Sequence, residues 1–141
     1  MLTNRPIPRV ALAFAAVMVV NLIGFVAALA TGLAGLRTEL ATGSPVNAPL
    51  TFVAVQLLTV AVAVRFEGRR PGTAAAVILV GLCTVGIASG LGDGSYGNDA
   101  LTAGDVGIQV AGVAVTAIMA VAAAAQAARG IRRRPAPAAA G

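Results

Sequence analysis

From Val10 to Leu36 the chain passes without one charged residue, beginning VALAFAAVMVVNLIGFVAALA. At 1.5 Å per residue, about 20 such residues cross a hydrocarbon core of about 30 Å, so the run predicts a transmembrane helix over residues 10–35. Three more apolar runs follow. After RTELATGSPVNAP, the run from Leu50 to Val64 extends to a span over 46–66. Ser44 and Asn47 are available as caps, Pro45 and Pro49 are tolerated in a first turn, and Arg65 can snorkel. EGRRPG breaks the chain before a third span over 73–91, which ends in the glycine-rich GDGSYGND, Gly92 to Asp99. TAGD, Thr102 to Asp105, reads as a capping box opening a fourth span over 102–129: the Thr102 hydroxyl accepts from a backbone N–H near Asp105, whose carboxylate suits the helix dipole. Arg129 and Gly130 are expected to close that helix as a C-terminal cation and a C′ glycine. Residues 1–9 form an N-terminal segment, and 131–141, IRRRPAPAAAG, a basic Pro/Ala tail with too little apolar surface to fold.

The expected fold is therefore an all-α membrane bundle of four helices, up-down-up-down. A composition 58% hydrophobic and 11% charged agrees with it. With no Trp, one Tyr and four Phe, the interior must be packed from Ala, Val and Leu, which let helices approach closely.

The net charge of +5 comes with ten basic residues, all Arg, at the ends of apolar runs or in tails rather than on an amphipathic face. That distribution speaks for topology and against nucleic acid. Four spans put Arg5, Arg9, Arg65, Arg69, Arg70, Arg129, Arg132, Arg133 and Arg134 on one side and only Arg37 on the other. The positive-inside bias then predicts a multi-pass protein of the cell membrane with both termini cytoplasmic. Glu39, Asp93, Asp99 and Asp105 fall outside and Glu67 inside. An alternative is a signal peptide cleaved near the ALA of Ala28 to Ala30, which would leave three spans in the same orientation. The Arg-only, Ala-rich usage looks like that of a high-GC genome, and size, span count and composition resemble those of small four-span membrane proteins of actinobacteria.

Chemistry has few places to hide. There is no His, and the one cysteine, Cys83, sits inside an apolar run, which predicts a small buried hydrophobe and no metal-ligand spacing. No ionisable residue lies at the centre of a span, where proton-coupled carriers place one. Small multidrug transporters share the size but carry a membrane-embedded Glu in the first helix, where only Asn21 stands. Small fluoride channels share the span count, without a Gly-Thr-Thr-Phe-Ser-type run. TVGI, Thr84 to Ile87, is similar to the potassium filter for three residues, but inside a continuous span. An EF-hand register from Asp93 needs Gly at its sixth position and Glu at its twelfth and finds Asn98 and Gly104. A looser external cation site of Asp93, Asp99 and Asp105 stays an alternative to a plain turn. No catalytic residue, cofactor or enzymatic activity is expected.

The uncharged polar residues point to packing. Asn21, Gly24, Ala28 and Gly32 share a face of the first helix, Phe52, Gln56, Thr59 and Ala63 one of the second, and Gln109, Gly112, Thr116 and Ala120 one of the fourth. Gly86 and Gly90 form a GxxxG pair in the third. Asn21 and Gln56 are expected at matching depth near the midplane, as a facing amide pair or as the lining of a polar cavity. Gln109 is expected nearer the outer surface, served by water. Arg65, Arg69, Arg70, Arg132, Arg133 and Arg134 are expected to anchor the cytoplasmic face. The expected function is a small non-enzymatic membrane protein, an accessory or structural component acting through helix association with a second copy or a larger membrane protein. The alternative is a small homo-oligomeric transporter or channel.

Overall fold

The computed structural model describes residues 7–32, 35, 48–92, 99 and 101–132. They form four helices: α1, Arg9–Thr31; α2, Leu50–Arg65; α3, Arg70–Gly92; and α4, Ala103–Arg132. Helices α1, α3 and α4 are long and apolar enough to cross a membrane. Helix α2, at 16 residues, is about 24 Å long, shorter than the span expected over 46–66.

The helix ends explain the differences from expectation. Pro49 stands at the N-cap of α2 with no side-chain cap, and a residue preceding proline is pushed out of the helical region. Ala48 therefore cannot continue the helix back to Val46. Ser44, Pro45 and Asn47 lie outside the described residues. Helix α1 stops four residues early, at Thr31, because Gly32 turns left-handed at φ 71°, its N–H bonding the Ala28 carbonyl. Helix α3 takes in Arg70, Pro71 and Gly72 ahead of the expected start. Helix α4 runs through Arg129 and Gly130 to Arg132, so its glycine is not a cap. Its start does follow the capping box: Thr102 N–H and hydroxyl donate to Asp105 Oδ2 at 2.9 and 2.7 Å, and Asp105 N–H donates back to Thr102 Oγ1 at 3.2 Å.

Helix α4 packs most closely on α3, then on α1, and α3 on α2, while α1 and α2 meet least. The shared core takes Val10, Ala13, Phe14 and Val17 from α1, Val60 from α2, Leu79 and Cys83 from α3, and Met119 and Ala123 from α4. Outward-facing positions are equally apolar, with Val121 70%, Leu58 68% and Leu22 63% exposed, while Gln56, Gln109 and Gln126 are buried. Apolar outside and amides inside is the reverse of a water-soluble surface, and it suits helices whose solvent is hydrocarbon.

Depth is not shared equally. Asn21, past the middle of α1, bonds the chain at Ala48, just ahead of α2. Phe52, in the first turn of α2, lies beside Gly86 of α3. Beyond that level α1 continues from Asn21 to Thr31, about 15 Å, and α3 from Gly86 to Gly92, about 9 Å. Among the described residues, α2 accompanies only the half of the molecule that ends in arginines.

Candidate functional site

A helix leaves its first four N–H and last four C=O groups without intrahelical partners, and in an apolar surrounding each unmet group costs about 1–3 kcal/mol. Two amide side chains answer this need here, each for a neighbouring helix, and a third ties down the chain ahead of α2. Asn21 Oδ1 accepts the backbone N–H of Ala48 at 3.0 Å, ahead of the uncapped start of α2, while its Nδ2 donates to the Val17 carbonyl of its own helix at 3.0 Å. Gln109 Nε2 donates to the carbonyl of Gly90, in the last turn of α3, at 3.0 Å. Gln126 Nε2 donates to the carbonyl of Ala63, in the last turn of α2, at 2.7 Å. Asn21 tethers the approach to α2 from α1, and both glutamines cap from α4.

This geometry revises two expectations. Asn21 and Gln56 do not form a facing pair: the Asn21 amide is committed to Ala48 and Val17, and Gln56 stands a further turn and more along α2. The depth match assumed that α2 begins near Val46, and its start at Leu50 removes the match. Gln109 is buried and bonded to protein, because the absent side chain of Gly90 leaves its carbonyl open to α4. Gln56 itself is 2% exposed, on the α2 face shared with Val60 and Ala63, and no hydrogen bond joins its amide to another described residue.

The small residues divide by role. Gly24 and Ala28 are buried on α1, Gly86 meets the Phe52 ring and Thr116, and Gly112 approaches Val20 loosely. Gly90 is tighter, since a Cβ there would stand 3.1 Å from Val113 Cγ2. Gly32 is exposed and serves as the left-handed cap. The closest approaches lie elsewhere, at the arginine end. A Cβ on Gly130 would collide with the Thr73 side chain, and one on Gly72 with the Phe66 backbone carbonyl. Gly72 and Gln126 do not stand out in the sequence, and Gly130 stands out only as a cap. The available signal for Gln126 was an isolated amide inside the alanine-rich end of the fourth apolar run.

Reactive groups are few. The hydroxyls of Thr31, Thr59, Thr84 and Thr116 each donate to the carbonyl four residues earlier, at 2.7–2.9 Å, and so meet their own needs. Cys83 is free and fully buried in the core. Among the described residues no three His, Cys, Asp or Glu side chains gather as metal ligands. Asp105 is turned to Thr102, Asp99 is exposed in a turn, and Asp93 and Ser95 lie outside the described residues. Arg9, Arg65, Arg69, Arg70, Arg129 and Arg132 are all exposed, and Arg65 lies 5.7 Å from the centre of the Phe66 ring. Arg5, Arg133 and Arg134 also lie outside the described residues. Compared with known proteins, the chain matches no family model, no curated protein and no solved structure.

Proposed function

We propose that this is a small multi-pass protein of the cell membrane, an up-down-up-down bundle with both termini cytoplasmic, which serves as a non-enzymatic accessory or structural component through helix–helix association. The observation that carries the reading is the employment of the amides: Gln109 and Gln126 each close a neighbouring helix end, and Asn21 ties α1 to the chain ahead of α2, which is the work of assembly. The direction of the helices is supported by Gly90 meeting Val113 at one end of the α3–α4 pair while Gly130 meets Thr73 at the other. The orientation follows from the arginine count. Crosslinking in intact membranes tests the association: the expected result is one discrete adduct at fixed stoichiometry, with itself or a larger membrane protein, and a monomer alone overturns it. In a Cys83→Ala background, Arg70→Cys should react with an impermeant maleimide only from the cytoplasmic side and Asp99→Cys only from outside.

A second reading, a small homo-oligomeric transporter, draws on Gln56, whose buried amide has no hydrogen bond to another described residue. Solute flux through reconstituted vesicles that is abolished by Gln56→Leu would favour it over the accessory role. Flux no greater than that of empty vesicles would remove it.

A further inference from the structure

The turn between α2 and α3 is compact and fixed. Phe66 N–H donates to the Val62 carbonyl at 3.0 Å, Arg69 N–H to the Phe66 carbonyl at 2.9 Å, and Gly68 takes φ 78°. It holds Arg65, Arg69 and Arg70 close together. The end of α4 is brought to the same place by the Gly130–Thr73 contact and by the bond from Gln126 to the Ala63 carbonyl, which adds Arg129 and Arg132. Among the described residues, these five exposed guanidinium groups thus share one end of the molecule with a single acid, Glu67, and no ion pair joins them to a described carboxylate. Guanidinium groups present paired donors that match phosphate oxygens.

What adjoins these arginines narrows the ligand. Residues three and seven positions before Arg65 lie on its face of α2, and they are Val62 and Leu58, 39% and 68% exposed. Seven positions after Arg70, on its face of α3, is Val77, 53% exposed. Arg65 and Arg70 therefore each stand above an exposed apolar strip, on adjacent helices. A free phosphate or a nucleic acid would satisfy the guanidinium groups and leave the strips uncovered, whereas a phospholipid covers both with one molecule.

We propose that the α2–α3 turn and the end of α4 form a binding site for an anionic phospholipid, with its phosphate on Arg65, Arg69 and Arg70, further charge met by Arg129 and Arg132, and its acyl chains along Leu58, Val62 and Val77. The site rests on the membrane reading above. The test uses the full chain purified in a neutral detergent and titrated with phosphatidylglycerol or phosphatidylcholine of the same acyl chains. Retained lipid is counted by native mass spectrometry. Retention of phosphatidylglycerol should exceed that of phosphatidylcholine by about tenfold, fall to the phosphatidylcholine level in Arg65→Gln/Arg69→Gln/Arg70→Gln, and collapse for the unaltered chain in 1 M salt. Equal retention of the two lipids overturns the proposal, as does displacement of phosphatidylglycerol by millimolar inorganic phosphate or a short oligonucleotide. Resistance of the chain to carbonate extraction from membranes is measured alongside. A chain that resists extraction but shows no headgroup preference sinks this site alone, and one that is extracted sinks the membrane reading as well.

Discussion

At the arginine end of the molecule α2, α3 and α4 meet within one or two turns. Gly130 lies against Thr73, Gly72 against the Phe66 carbonyl, and Gln126 reaches the Ala63 carbonyl. At the opposite end only α1, α3 and α4 continue among the described residues. There Gly90 and Val113 pack, and Gln109 spans to the Gly90 carbonyl. Both ends use a glutamine of α4 to close another helix, yet only the arginine end has backbone in contact so close that no side chain fits. The difference teaches where rigidity resides: the shared core, from Val10 to Val17 of α1 and from Met119 to Ala123 of α4, lies in the half that α2 accompanies.

The largest effect should come from Gly72→Ala. A methyl group there meets a backbone carbonyl fixed by the turn, and overpacking of that kind costs about 3 kcal/mol. Thermal unfolding in detergent should show the loss, and a wild-type melting temperature would mean that the turn yields to the added methyl group. Gln126→Leu comes next, at about 2 kcal/mol, since it strands the Ala63 carbonyl in an apolar interior. Gln109→Leu should cost about 1 kcal/mol or less, because at the end of α3 water can reach Gly90 in its place. Equal losses at the two glutamines would erase the contrast between the ends.

The four apolar runs were plain in the sequence because composition alone marks them, and the capping box at Thr102 and Asp105 was plain because its two residues are local partners. What could not be read locally was depth. The start of α2 depends on Pro49 and on Asn21, a residue 27 positions away from its partner Ala48, and pattern along one helix carries no information about that bond. Two glycines show the same limit. Gly32 lies on a small-residue stripe and looks like packing, but it caps α1; Gly130 follows an arginine at the end of a run and looks like a cap, but it packs on Thr73. A glycine has the same sequence signature whether it is needed for its φ or for its missing side chain, and only the neighbour decides. Gln126 was hidden for a related reason, since its use depends on an orphan carbonyl in α2.

The bond from Gln126 to Ala63 also has a history within the life of one molecule. Ribosomes deliver α2 long before α4, so the Ala63 carbonyl waits through the synthesis of more than sixty residues before its donor exists, while Ala48 meets a residue already made. The first half of the chain can thus be tethered as it emerges, but its second helix is sealed only by a residue in the last two turns of the final one. A chain truncated before Gln126 should leave α2 open at that end, which makes the last two turns of α4 the closing step of assembly.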